Sequence, residues 1–165
     1  MSLYGDLQKT STRPLPGPAS PAPGESVTES GAQRAEHAIR AEEDLLAVRH
    51  AVREATVRVG FGLVDQTRIV TAASELARNA YVHGGGGTLA LEVVRQGGRR
   101  GLRLSVSDQG PGIADLDQAL TDGYTTGAGL GHGLGGARRL MDEFQVRSTP
   151  GRGTTVTVLR WIGPR

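Results

Sequence analysis

The sequence predicts an α+β fold: a two-layer α/β sandwich with a mixed, mainly antiparallel sheet and helices on one face. Three observations predict it. Two stretches with helical apolar spacing come early, near residues 45–59 and 64–83. Stretches that alternate like strands follow from residue 88 onward and are joined by glycine-rich turns. The two kinds of pattern are segregated along the chain, not interleaved as in a parallel βαβ array.

Each element follows from its local pattern. His37 to Arg40 reads as a short strand. Leu45, Val48, Val52, Ala55 and Val59 then recur at helical spacing, an amphipathic helix of about four turns. "GFGLVDQ" (60–66) breaks it, and Gly62 suits the turn. A second helix is expected from Val64 to His83, with Ile69, Ala73, Leu76 and Ala80 inward, ended abruptly by "HGGGG". "TLALEVVRQ" (88–96) and "GLRLSVSDQ" (101–109) alternate as strands around the hairpin candidate "GGRRG". A glycine-rich region from Gly110 to Gly136 leads into a short helix ending near Asp142. "FQVRST" and "TTVTVLRW" close the sheet around the turn "PGRG".

Composition bounds the rest. A chain of 165 residues with 37% hydrophobic residues fills one modest core. Residues 1–34 hold five of the eight prolines and show no periodicity, so they read as a disordered tail. The domain then spans 35–161, with a short C-terminal tail at 162–165. The absence of cysteine excludes disulfides and thiol chemistry and fits a reducing cytoplasm. No apolar run approaches the roughly 20 residues of a membrane span, and MSLYGDLQKT lacks a signal-peptide pattern. A net charge of +2 with interspersed signs gives no footprint for nucleic acid. One lysine, Lys9, stands against eighteen arginines. A Walker-type loop needs a lysine just after its glycines, and the eukaryotic protein-kinase fold needs one on a strand, so both are excluded.

The chemistry-bearing residues lie in the second helix and the glycine-rich stretches. Glu75 and Asn79 are four apart and share a helix face away from Ala73, Leu76 and Ala80. Taken alone, the two are an ordinary solvated polar pair. "DQGPGI" (108–113) sets an acid at a strand end before two glycines, a combination that also occurs in plain turns. Six of the ten residues from Gly127 to Gly136 are glycine, ahead of a helix. Such a run lets backbone N–H groups crowd around an anion. Gly131, Gly133 and Gly136 fit a dinucleotide fingerprint, but "TDGYTTGAGL" is no strand, and that reading fails. His37, His50 and His132 lack ligand spacing and read as solvated. Arg138 and Arg139 are expected near the start of the last helix, where cations are mildly unfavourable.

In order and spacing, "SELARNA" (74–80), "DQGPGI" (108–113), "GLGHGLGG" (129–136) and "GRGTT" (151–155) resemble the motifs of the GHKL (Bergerat-fold) ATP-binding superfamily. That superfamily includes gyrase, the chaperone Hsp90, histidine kinases and the MutL repair protein. Within it, "DGYTTGAGLGHGLGGARRLMDEF" (122–144) looks most like the switch kinases of the anti-sigma regulatory factor family. The likeness covers about residues 36–161.

The resemblance implies ATP and Mg²⁺ as cofactors. It makes Asn79 the Mg²⁺ ligand and Glu75 the general base, which also meets the metal through water. Asp108 would accept a hydrogen bond from the adenine amino group, with Gly110 and Gly112 letting the backbone approach the base and Thr154 supporting it. Gly129, Gly131, Gly133, Leu134 and Gly135 would form a lid around the triphosphate. Members of that branch often carry proline within Gly-Leu-Pro-Gly, where this chain has Leu134-Gly135-Gly136.

The activity implied is that of a cytoplasmic serine/threonine protein kinase in a stressosome-like partner-switching module. STAS-domain proteins would be its substrates and scaffold, and a PP2C-type phosphatase its partner on release. The alternative is an anti-sigma kinase that sequesters a sigma factor and phosphorylates an anti-anti-sigma STAS protein. A nucleotide-binding adaptor without phosphotransfer is disfavoured by the presence of both Glu75 and Asn79. No nucleic acid or membrane partner is implied.

Overall fold

The structure is a computed structural model that describes residues 34–113, 120 and 133–163. Gly129, Gly131 and residues 1–33 of the expected tail lie outside these residues, whereas Arg34, expected in the tail, opens the first strand. Eight elements follow in order: β1 (Arg34–Ile39), α1 (Glu42–Val59), α2 (Leu63–Gly84), β2 (Gly87–Gln96), β3 (Arg99–Asp108), α3 (Gly133–Leu140), β4 (Glu143–Thr149) and β5 (Gly153–Trp161). They form one five-stranded sheet in the order β1-β2-β3-β5-β4. Every pair of neighbours is antiparallel, so the parallel component expected of a mixed sheet is absent among the described strands. The connection from β1 to β2 shows why. A single crossover helix would return the chain parallel, whereas two successive helices deliver it antiparallel.

The core lies between the sheet and α1 and α2. Pairing registers Leu91, Leu104, Val158 and Phe144 as one rung across four strands, and Leu89, Val106, Val156 and Val146 as the next. All eight are buried. Onto them α2 lays Ile69, Ala73, Leu76 and Ala80, as its periodicity predicts. Four alanines among its buried residues (72, 73, 77 and 80) let it sit close to the strands. α1 adds Val48, Val52, Ala55 and Val59. The opposite face carries polar cross-strand pairs: Ser105 with Thr157 at 3.3 Å, Ser107 with Thr155 at 3.1 Å, and Arg103 with Glu92 at 3.3 Å.

Element ends depart from expectation where tertiary pairing overrides local pattern. β1 begins at Arg34 and ends at Ile39 because it registers on β2, from Arg34 opposite Glu92 to Ile39 opposite Gly87. The glycine that needs left-handed freedom after α1 is Gly60 (φ 101°), whereas Gly62 is the extended N-cap of α2. α3 stops at Leu140 because Asp142 is recruited by β5. Its N–H donates to the Leu159 carbonyl at 3.0 Å, and its carboxylate accepts from Trp161 N–H at 2.7 Å. Arg138 and Arg139 therefore occupy the last turn of α3, where a cation complements the helix dipole.

Two polar devices fix the helices. Ala41 caps α1 without a side-chain acceptor, so half of a capping box operates: Asp44 accepts from the Arg40 and Ala41 N–H groups at 2.8 and 2.9 Å. These two donors, Arg40 first, hold the Asp44 carboxyl below its ordinary value of 3.8. Arg160 donates to Asp65 at 2.9 Å and to the Leu140 carbonyl at 3.3 Å, and lies 3.4 Å from Asp142. It ties the start of α2 to the end of α3.

Leu104 is fully buried at the centre of the sheet. Leu104→Ala should lower the unfolding free energy by about 2–5 kcal/mol in urea titrations. Because the Asp44 pKa is lowered on folding, its contribution is complete above its unfolded value and disappears as pH falls through the folded one. Asp44→Ala should therefore lower Tm at neutral pH, and the gap from the parent should close as thermal melts are taken to lower pH, beneath the ordinary aspartate range.

Candidate functional site

The site is built where α2 ends and β3 ends. Glu75 and Asn79 stand one turn apart on the flank of α2, beside its buried stripe, and both are half-buried. Neither side chain bonds another described residue, so the Glu75 carboxylate and the Asn79 amide keep their acceptor capacity for a ligand. The helix continues through Gly84 and is closed by Gly85 (φ 74°), which with Gly86 directs backbone N–H groups at the Ala80 carbonyl.

Gly84 matters for a second reason. A β-carbon there would stand 2.4 Å from Asp108 Cγ, so the helix end and the acid share one space. Asp108, the last residue of β3, is half-buried and directs Oδ1 to the Gly110 N–H at 2.9 Å. Its Oδ2 accepts nothing among the described residues, which leaves one carboxylate oxygen for a ligand donor. Glycines surround it: a β-carbon would meet Ser107 O at 2.0 Å from Gly87, Gly84 Cα at 2.6 Å from Gly110, and Asp108 O at 2.0 Å from Gly153. Gly112 takes φ 79°, and a β-carbon there would approach Thr149 O to 2.8 Å. The chain's own packing thus requires glycine at 110 and 112, before any ligand is considered.

Thr154 lies directly opposite Asp108 across the β3–β5 pair. Its hydroxyl meets the Ser148 hydroxyl at 2.9 Å, and Ser148 Oγ accepts the Ile113 N–H at 2.7 Å. The Gly151 N–H donates to the Pro111 carbonyl at 2.9 Å. These bonds pin the segment after Asp108 onto the β4–β5 turn. Asp108, Gly110, Gly112 and Thr154 are thereby brought together, with α2 reaching them at Gly84. Gly133, Leu134 and Gly135 fall inside α3, and Leu134 is buried in the core instead of facing a site.

Sequence reasoning missed Ser148 and the packing roles of Gly84, Gly87 and Gly153. The run Gly84–Gly87 carried a visible signal, since helix termination alone needs one glycine and four are present. Ser148 carried none, being one hydroxyl among several on a strand.

An antiparallel α/β sandwich that carries a helix-borne Glu and Asn, a strand-end Asp and a glycine-bracketed turn defines a nucleotide-binding domain of the GHKL type. The chain belongs to the histidine kinase-, DNA gyrase B- and HSP90-like ATPase family, whose model matches residues 64–162. It is 46% identical over 124 residues to the serine/threonine-protein kinase RsbT of Bacillus subtilis (strain 168), covering 75% of this chain and 93% of that protein. It is 33% identical over 102 residues to the anti-sigma F factor of Thermoanaerobacter sp. (strain X514), covering 58% of this chain and 69% of that one. A crystal structure of the RsbU and RsbW domains of a Mycobacterium tuberculosis protein superposes with a TM-score of 0.57 at 24% identity. The match covers 79% of this chain and a third of that longer one, 33%, and shows a shared fold. Among the described residues no helix is long and apolar enough to cross a membrane.

Removing the Ser148 hydroxyl strands the Ile113 N–H and the Thr154 hydroxyl. Ser148→Ala should destabilise the domain by about 1–3 kcal/mol in chemical denaturation. Gly84→Ala must displace the Asp108 carboxylate, and calorimetric titration should find ATP affinity lowered about tenfold or more, as for a lost charged hydrogen bond.

Proposed function

We propose that this chain is an ATP- and Mg²⁺-dependent serine/threonine protein kinase of a partner-switching module. Its substrates are STAS-domain proteins, and on release from them it binds a PP2C-type phosphatase. One observation carries the reading: α2 bears half-buried, unengaged Glu75 and Asn79 on one flank and ends at Gly84 against Asp108. The 46% identity to a protein named as a serine/threonine kinase supports it.

The residues suit the cofactors. Asp108 has one oxygen held by Gly110 N–H and the other open, which fits an amino-group donor such as that of adenine and disfavours a carbonyl in its place. Asn79 offers a neutral hard oxygen, suitable for Mg²⁺ that keeps most of its water. ATP, when bound, supplies the transferable phosphoryl group. Glu75, one turn from Asn79 on the same flank of α2, would take the proton from the incoming serine or threonine hydroxyl. The reaction belongs to the cytoplasm, where ATP and bacterial regulators of this class meet.

The 33% identity to an anti-sigma F factor favours one second reading, a kinase that also sequesters a sigma factor and phosphorylates an anti-anti-sigma STAS protein. Co-purification separates the two: a sigma factor marks the second, and STAS and phosphatase proteins mark the first.

The decisive assay offers labelled ATP and Mg²⁺ with STAS proteins of the same genome as acceptors. Label on a serine or threonine is the expected result, whereas bound ATP without transfer would mean a nucleotide-gated adaptor. Glu75→Ala should retain ATP binding and lose phosphotransfer by about 10²–10⁴-fold. Equal loss of both would remove Glu75 from the role of base. Asn79→Ala should abolish the Mg²⁺-dependent part of nucleotide binding in the same titrations.

A further inference from the structure

A groove of about 430 Å³ opens at the end of the sheet opposite Asp108, between the last turns of α1 and the strands β1, β2 and β3. Leu91, Val93 and Leu102 on the strands and Val59 on α1 give it an apolar lining. Arg58, Arg95 and Arg100 stand around it, all exposed, and no carboxylate lines it. A fourth cation, Arg34, is already engaged by Glu36 at 3.1 Å and Glu92 at 3.7 Å. Arg58, Arg95 and Arg100 make no ion pair among the described residues.

Two of these arginines are placed against the interest of the fold. Arg95 and Arg100 are directly opposed in the β2–β3 register. Like charges in that position repel and weaken a hairpin, whereas the same two strands pair Arg103 with Glu92 three rungs away. Among the described residues, nothing compensates this cationic pair beside the apolar floor. An acidic group arriving from outside would compensate it.

We propose that this groove docks a protein partner through a segment in which carboxylates alternate with apolar side chains. Its apolar residues cover Val93 and Ala35, the lining residues that keep exposed surface, and its carboxylates meet Arg58, Arg95 and Arg100. Charge complementarity and the rim-and-floor arrangement favour a protein segment over a small anion. A small-ligand site encloses its polar contacts, whereas here every cation is exposed around an apolar centre, as in a protein interface. The groove lies about 25 Å along β3 from Asp108, at 3.3 Å per residue, so partner and nucleotide occupy separate ends of one sheet.

The test uses the full chain and a short fluorescein-labelled peptide of alternating glutamate and leucine, followed by anisotropy. The expected result is saturable binding that weakens with added salt and is unaffected by ATP. Lysine–leucine and glutamate–serine peptides should fail to bind. Arg58→Glu with Arg95→Glu should weaken binding about tenfold or more, while Arg95→Lys preserves it. Arg95→Glu alone should raise Tm, because it turns a repulsive cross-strand pair into an attractive one. A lowered Tm would make Arg95 a structural residue and overturn the proposal. So would unchanged affinity of the double variant, or full displacement of the peptide by inorganic triphosphate, which would mark a small-anion site. Binding that appears only after removal of residues 1–33 would assign the groove to the chain's own tail. A dimer that the double variant converts to monomer would assign it to a second copy. Each of these outcomes overturns the external partner without touching the nucleotide site, whose ATP titration is run in parallel.

Discussion

The end of α2 and the end of β3 meet at Gly84 and Asp108 with no room for a β-carbon between them, and the architecture of the site depends on that exclusion. Because α2 can close onto the strand, its flank carrying Glu75 and Asn79 is held at a constant offset from the Asp108 carboxylate. The same tightness recurs at Gly87, Gly110 and Gly153, where a β-carbon would meet Ser107 O, Gly84 Cα and Asp108 O. Glycine in such places loses more backbone entropy on folding than alanine, roughly 0.5–1 kcal/mol per position. That expense is offset only if the acid must be in one place. The glycines commonly explained as making way for a nucleotide are here first a packing requirement of the protein.

From this junction the order spreads through two hydrogen-bonded routes. One runs from Thr154 through Ser148 to Ile113 N–H and binds the segment after Asp108 to the β4–β5 turn. The other runs through Arg160, which joins Asp65 at the head of α2 to Leu140 and Asp142 at the tail of α3. Both routes are anchored in β5, paired with β3 and β4 on its two sides. β5 is therefore the strand through which the turn after Asp108, the helix bearing Glu75 and the short helix α3 are kept in one frame.

Much of this was legible in the sequence, for physical reasons that differ by element. The buried stripe of α2 was legible because Ile69, Ala73, Leu76 and Ala80 repeat at the helical period and nothing else competes for them. The strands β2 and β3 were legible because alternation and a double-glycine turn agree. β1 was misplaced by three residues because "RAEHAI" alternates weakly, and its limits come from its partner strand. The end of α3 was misplaced because Asp142, a tolerable helical residue, is claimed by two β5 backbone groups. In the candidate site, Glu75, Asn79 and Asp108 could be singled out as candidates because their spacing to glycine clusters matches one family's motifs. Ser148 and the contact between Gly84 and Asp108 could not, because they depend on residues brought together from far apart in the chain. The opposed arginines Arg95 and Arg100 became visible only once the hairpin register was known.

The position of Trp161 has an optical consequence. It is the sole tryptophan of the chain, buried at the end of β5, with its indole against Gly101 and the Arg99 guanidinium 4.7 Å from its ring centre. Thr154, at the other end of the same strand, lies about 23 Å away at 3.3 Å per residue. The intrinsic emission of the protein thus comes from one fluorophore at the groove end of the sheet. It is a native beacon for that end, and it is dark to events at the Asp108 end unless they travel the length of β5.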